Sequence, residues 1–130
     1  MTTTTADQAA LGVLDGMYAA WAAGDADGIA RHYTEDASVV MPGLHHSGRE
    51  AVRAFFTAGF AGRLKGSTAI DEPQEVRFYG ADTAIVISTG RIVLAGPDAD
   101  NRVVRATWTL VRQDGQWLIA AYANAPVQAG

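Results

Sequence analysis

The chain has 130 residues, a formal net charge of −4 and no cysteine, with 48% of its residues apolar and 18% charged. A chain of this length forms one domain and buries roughly 65–70% of its unfolded surface, enough for one core and one internal cavity. The acidic balance, with no basic stripe interleaved with aromatics, argues against nucleic acid and anionic membrane surfaces as partners, and the lack of cysteine excludes disulfides, thiolate nucleophiles and cysteine-held metals.

The opening MTTTTADQ has neither a basic stretch nor an apolar one of the kind that directs export, and no apolar run approaches the length of a membrane span. A cytoplasmic protein without membrane contact is expected. It should be a single domain over residues 1–130, with flexible ends at 1–6 and 126–130.

From Ala6 to Ala23, Leu11, Leu14, Met17, Tyr18 and Trp21 recur at helical spacing, and Gly24 suits the position just past a helix end. Asp25 can cap a second short helix running through Tyr33, and a first strand follows at Ala37–Met41. Ser47-Gly48-Arg49-Glu50 has the spacing of a capping box, opening a third helix whose apolar residues are Val52, Phe55, Phe56 and Phe60. From Thr68 onward the pattern is β, in the stretches EVRFY, TAIVISTGRIVLA, RVVRATWTLVRQ and QWLIAAYAN, separated by turn-forming residues. Helices first and a meander afterwards give an α+β layout without internal repeats.

The Asp114-Gly115 turn predicts a register. Counting outward pairs Gln113 with Gln116, Val111 with Leu118, Thr109 with Ala120, Thr107 with Tyr122 and Arg105 with Asn124, all on one face. Leu110, Ile119, Trp108, Ala121 and Trp117 lie on the other. A hairpin loop over Gly96–Asn101, centred near Asp98, would place Arg91 opposite Arg105 and Thr89 opposite Thr107, with Ile87 and Ile85 following. One face then has an apolar floor and a polar end made of Arg91, Arg105, Thr107, Tyr122 and Asn124. The even-numbered face, with Trp108, Leu110 and Ile119 beside Val86 and Ile92, is also apolar and should be covered, which predicts a homodimer through the outer sheet face.

The stretches AAGDADGI, EDASV…P, SGREAVRAFF and QEVR resemble ketosteroid isomerase, a member of the nuclear transport factor 2-like superfamily, which also includes the SnoaL-like polyketide cyclases. The C-terminal RATWTLVRQDGQWLIAAYANAP is closer to the SgcJ/EcaC group, associated with enediyne and related polyketide biosynthesis. The resemblance runs from about Ala9 to Asn124 and implies a cone: three N-terminal helices packed in a strongly curved, mainly antiparallel sheet around a deep apolar pocket. It implies that the odd-numbered face looks into that pocket. The expected wall is Met17, Trp21, Tyr33, Met41 and Phe56 from the first half of the chain. From the sheet come Ile85, Ile87, Thr89 and Arg91, then Thr107, Thr109 and Val111, then Leu118 and Ala120.

In such isomerases a carboxylate takes a proton beside a carbonyl while a tyrosine and a protonated aspartic acid donate to the oxyanion. Matching the motifs puts Met41 at the base, Met17 at the tyrosine, and Thr107 or Trp108 at the second donor. No acid or phenol stands at these positions, so the isomerase mechanism does not carry over. Two methionines there either shape a pocket for an apolar ligand or pack the core. Arg105-Ala-Thr107 imitates the Arg-x-Asp strand of limonene-epoxide hydrolases with its carboxylate replaced.

The candidate catalytic groups are Tyr122, Arg105 and Asn124, donors suited to polarising a carbonyl or holding an enolate. The other reading of Arg91 and Arg105 is a solvated strand end or a pairing with Glu75. His45 and His46, in the loop before the third helix, either serve as acid or base near the mouth or are simply solvated. His32 and Asp36 have i,i+4 spacing without a third ligand, so neither a metal nor another cofactor is expected. Asp25, Asp27 and Asp36 read as cap and turn residues. Two functions follow: an enzyme or accessory protein acting on an apolar polyketide-type intermediate by isomerisation, cyclisation or dehydration, or a non-catalytic carrier or assembly module built on the same cone.

Overall fold

The computed structural model describes residues 4–95 and 103–127. The elements are α1 (Thr5–Ala22), α2 (Ala26–Ala30), β1 (Tyr33–Met41), β2 (Leu44–Ser47), α3 (Arg49–Ala61), β3 (Thr68–Phe78), β4 (Thr83–Val93), β5 (Val103–Gln113) and β6 (Gln116–Pro126). The strands form one sheet in the order β2-β1-β6-β5-β4-β3. Every pairing is antiparallel except β1 with β6. Three helices pack against this curled sheet, the α+β cone expected. The Gly96–Asn101 loop lies outside the described residues.

The helix starts differ from expectation. The capping box is at Thr4, whose hydroxyl accepts from the Asp7 N–H at 3.0 Å while Asp7 accepts from the Thr4 N–H at 3.2 Å. Residues 4–6, expected to be flexible, therefore belong to the start of α1, and Pro126 belongs to β6. At α3 the expected Ser47 box is absent. Ser47 is drawn into β2 opposite Ser38, and Gly48 takes the cap position at φ 94°, with its N–H donating to the Ala37 carbonyl at 2.7 Å. That backbone conformation favours glycine and turns the chain sharply from strand to helix. α2 stops at Ala30, and Tyr33 instead opens a nine-residue β1.

The larger correction concerns which face of the sheet is inside. Along β4, Ala84, Val86, Ser88 and Gly90 are buried and their odd-numbered neighbours half-buried; along β5, Ala106, Trp108 and Leu110 are buried. The even-numbered face of these strands is the concave one, and the residues expected at an outer dimer face form the core. Curvature explains this. The concave side crowds its side chains, and Ala84, Ser88, Gly90 and Ala106 are small enough to leave room for one large ring, Trp108.

The hairpin register holds from Gln113–Gln116 to Leu110–Ile119 and then shifts. A bulge at Ala120 sets Trp108 opposite Tyr122 and Ala106 opposite Asn124, so Tyr122 and Asn124 join the concave face. On the β4 side, Thr89 pairs with Arg105 and Ile87 with Thr107, two residues away from the expected register.

The core under the sheet is filled from α1, α2 and the concave strands. Met17, Ile29, Leu110, Ile119, Val86 and, from α3, Val52 are the largest fully buried apolar side chains, each stabilising the fold by roughly 1.5–3 kcal/mol relative to exposure. Arg49, in the first turn of α3, donates twice to the Tyr33 carbonyl, at 2.7 and 2.9 Å, and so fixes that helix against the start of β1. Among the described residues no helix is long and apolar enough to cross a membrane.

Candidate functional site

Between the helices and the concave face lies a cavity of about 430 Å³. Its depth is apolar and aromatic. Met17, Tyr18 and Trp21 come from α1 at the i, i+1, i+4 positions of its inner face, Tyr33, Val39 and Met41 from β1, and Phe55 and Phe56 from α3. Trp21 meets Phe56 edge-on at 5.0 Å between ring centroids, and its indole N–H donates to Ser67 Oγ at 2.9 Å. Trp108 lies between Tyr122, at 4.3 Å, and Tyr18, at 6.1 Å. The lining also includes the exposed apolar residues Leu44 and Ile70, with Arg63 and Arg91.

Into this wall β3 projects a carboxylate, Asp71. Its Oδ1 accepts from Ser88 Oγ at 2.7 Å, and Ser88 Oγ accepts in turn from the buried Trp108 indole N–H at 3.1 Å. The Tyr18 phenol lies near the same carboxyl and favours its charged form. Burial raises the pKa of Asp71 above the ordinary carboxylate value, because desolvation outweighs the two hydroxyl donors, which favour the charged form. Gly90, directly opposite Asp71, has no side chain to block it.

Three phenols line the same cavity. Burial raises Tyr18 well beyond the ordinary phenol range, with the Asp71 charge adding to it, and burial likewise raises Tyr33, which lies near Tyr122. Burial pushes Tyr122 up to about 12, against the lowering effect of Asn124, whose Nδ2 donates to the phenol oxygen at 2.7 Å. With that acceptor position filled, the Tyr122 proton is free to be donated to a ligand. All three phenols are therefore neutral donors at physiological pH. A carboxyl whose pKa burial raises is a stronger base than an ordinary aspartate, and beside such donors it can exchange a proton with a bound molecule while a phenol holds the oxygen on which charge develops.

The structure brings together many of the residues singled out in the sequence. Met17, Trp21, Tyr33, Met41, Phe56, Arg91, Tyr122 and Asn124 line the cavity. Arg105 and Thr107 are exposed on the convex face, and Thr89, Thr109 and Val111 lie there half-buried. Ile85 and Ile87 alternate outward with buried Ala84, Val86 and Ser88. Leu118 pairs with Val111 on that face, and Ala120 is the bulged residue. None of these nine lines the cavity. Glu75 pairs with Arg77 and not with Arg105.

His45 and His46 lie in β2, His45 exposed and His46 packed on Phe55 at 4.8 Å between ring centroids; neither lines this cavity. His32 Nδ1 lies 2.7 Å from the Gly28 carbonyl, Asp25 caps α2, and Asp36 accepts from Thr34 Oγ1. Among the described residues no three His, Asp or Glu side chains converge as they would around a metal ion.

Sequence reasoning missed Asp71, Ser88 and Tyr18. Tyr18 stands one residue beyond the Met17 matched to the isomerase tyrosine, and Asp71 comes from a different strand than the matched base position, Met41. The signal for Asp71 was the alternation of Ala69 and Asp71 with exposed neighbours, together with a glycine in the middle of β4.

Several solved structures share this fold. A domain of unknown function with a cystatin-like fold from Nostoc punctiforme is 27% identical, with 98% of this chain and 81% of that chain covered at a TM-score of 0.83. A ketosteroid isomerase-like protein from Erwinia carotovora atroseptica is 18% identical over 93% of this chain and 95% of that one, at a TM-score of 0.76. A scytalone dehydratase-like protein from Novosphingobium aromaticivorans is 17% identical over 93% and 83%, at 0.79. No curated protein sequence matches the chain. The sequence profile of the SnoaL-like domain matches residues 14–119, nearly all of the described cone, and the chain belongs to the SnoaL-like domain family.

Proposed function

We propose that the cavity binds an apolar, oxygen-bearing small molecule and moves a proton on it, with Asp71 as acid and base and Tyr122, held by Asn124, as donor to the ligand oxygen. The observation that carries this reading is the Asp71 carboxyl set in an apolar wall, held by Ser88 with the Tyr18 phenol nearby. In the forward step the proton on the carbon next to a carbonyl passes to a carboxylate oxygen of Asp71. The electron pair moves onto the carbonyl oxygen, where Tyr122 donates a hydrogen bond. Return of that proton from Asp71 to the far carbon of a conjugated enolate isomerises the ligand, its delivery to a β-hydroxyl that leaves as water dehydrates it, and attack of the enolate carbon on a second carbonyl, whose oxygen takes the proton, cyclises it.

A polyketide-type intermediate fits this chemistry, since such molecules carry activated protons between carbonyls. The resemblance of the C-terminal stretch to the SgcJ/EcaC group supports the same substrate class. The second reading, a carrier that binds without turnover, is favoured by Met17 and Met41, which line the wall where the isomerases hold a phenol and a base.

Exchange of the α-protons of 2-tetralone into deuterated water, followed by proton NMR, separates the two. Wild type accelerating exchange over buffer and Asp71→Asn losing that acceleration supports proton transfer. Equal rates for the two proteins would leave binding alone.

A further inference from the structure

We propose that Tyr122 and Asn124 together hold one ligand hydroxyl, so that the cavity takes an alcohol, phenol or enol with an apolar body in preference to the matching ether. The inference rests on the reading of the cavity as a ligand site. It adds a specificity-determining role for Asn124, which that reading used only to hold Tyr122.

The bulge at Ala120 brings both residues to the concave face. Tyr122 stands opposite Trp108, with the ring centroids 4.3 Å apart, and Asn124 stands opposite Ala106. Ala123 and Ala125, which alternate with them, are exposed on the other face, while Tyr122 and Asn124 line the cavity. Ala106 is buried and small, so the residue across the ladder leaves room for the Asn124 carboxamide.

The two polar ends meet at short range, and the direction of their bond decides what each has left. Asn124 Nδ2 donates to the Tyr122 oxygen at 2.7 Å, so Tyr122 keeps its O–H as a donor and Asn124 keeps its carbonyl oxygen, Oδ1, as an acceptor. Among the described residues no backbone or side-chain group donates to Oδ1. Nor is Oδ1 one of the sealed side-chain atoms without a partner, which belong to His46, Arg53 and Thr89. It is therefore an accessible acceptor beside an available donor.

A donor and an acceptor side by side match an oxygen that carries its own proton. A ligand hydroxyl accepts from Tyr122 and donates to Asn124. An ether oxygen uses the Tyr122 donor alone and leaves Oδ1 without a partner once the ligand has displaced water. Ketosteroid isomerases meet the ligand oxygen with two donors, which suits an oxyanion. One donor with one acceptor suits a neutral hydroxyl, such as that of an enol.

Calorimetry with 2-naphthol and 2-methoxynaphthalene, which share an apolar body, tests this at neutral pH, where the naphthol keeps its proton. Wild type should bind the naphthol about threefold to tenfold more tightly, the worth of one hydrogen bond. Asn124→Leu should abolish the preference, and Asn124→Ala makes the same test if the leucine variant does not fold. Asp71→Leu should retain it, because Asp71 is the other acceptor in the lining that a hydroxyl could reach. A preference that survives loss of the Asn124 carboxamide, or that Asp71→Leu abolishes, would overturn the proposal. Equal binding of the two probes to wild type, or failure of both to bind, would overturn it as well. Asp71→Asn losing proton exchange while wild type shows no naphthol preference would overturn this inference and leave the proton-transfer reading standing. A naphthol preference that depends on Asn124, with exchange unaffected by Asp71→Asn, would do the reverse.

Discussion

Asp71 and Gly90 face each other across the β3–β4 ladder, and a Cβ placed on Gly90 would stand 3.0 Å from Oδ1 of Asp71 and 3.1 Å from the Ile70 carbonyl. A glycine in the middle of a strand weakens it, so its presence marks a close approach that the fold needs. Gly90→Ala should displace the carboxylate from Ser88 and cost about 1–3 kcal/mol of stability through overpacking. Folded Gly90→Ala should exchange tetralone protons more slowly than wild type. An unchanged rate, with the melting temperature lowered, would show that the position of Asp71 does not matter.

Asp71 also links stability to pH. Burial raises its folded-state pKa, so the folded protein holds the proton more tightly than the unfolded chain. The stability this provides is full below the unfolded value of about 3.9 and is lost as pH rises through the folded-state value. Asn stays neutral throughout. Asp71→Asn should therefore melt higher than wild type near pH 7, and the gain should shrink as pH falls through the folded-state titration. Calorimetric melts across pH check this, and a gain independent of pH would contradict the assignment.

Ser88 holds two partners at once, donating to Asp71 at 2.7 Å and accepting from Trp108 at 3.1 Å. Ser88→Ala leaves a buried indole N–H unpaired, at a cost of about 1–3 kcal/mol. It also removes a bond that lowers the Asp71 pKa, so the titration should move further up. Carbon-13 NMR of the carboxyl reads that shift. No upward movement in a folded variant would mean that Ser88 does not stabilise the charged form.

Trp108 is 2% exposed and packs against Tyr18 and Tyr122 in the core. Trp108→Glu should unfold the chain and not split a dimer, at a cost of at least about 3–5 kcal/mol. We propose that two copies pair instead through the convex face, where Ile85, Ile87 and Val111 are half-buried aliphatic residues. Sedimentation should show a dimer for wild type and a folded monomer for Ile87→Glu. A monomeric wild type at micromolar concentration would contradict the pairing.

The legible parts of the fold were those with one strong period or one specific turn. α1 and α3 follow from their apolar spacing, and Asp114-Gly115 sets the first pairs of the β5–β6 hairpin as observed. The inside of the sheet was harder to read because both faces of β4 and β5 are apolar, so alternation alone does not orient them. The available cue was size: Ala84, Ser88, Gly90 and Ala106 are small residues of a crowded concave face.

The Ala120 bulge leaves no mark in a run of alanines, yet it moves Tyr122 and Asn124 from the Thr107 face to the Trp108 face. Tyr122 and Asn124 were thus expected in the cavity and found there, while Arg105, expected beside them, points away. Asp71 was hidden because Asp-Glu-Pro reads as a turn, although Pro73 lies in a strand that bulges immediately after it. The motif match carried the positions of Met17 and Met41 correctly to the cavity wall. It could not show that a phenol one residue on and a carboxyl on another strand supply polar groups there.

The central claim is that Asp71 exchanges protons with a molecule in the cavity, and the pH dependence of 5-nitrobenzisoxazole ring opening tests it most directly. Asp71 would take the proton on the ring carbon as the N–O bond breaks, leaving a phenolate whose absorbance reports the rate. Wild type should open the ring faster than buffer, the rate should rise with pH through a midpoint above the ordinary aspartate value of about 3.9, and folded Asp71→Asn should not exceed buffer. Equal rates for wild type and Asp71→Asn across that range would contradict the account.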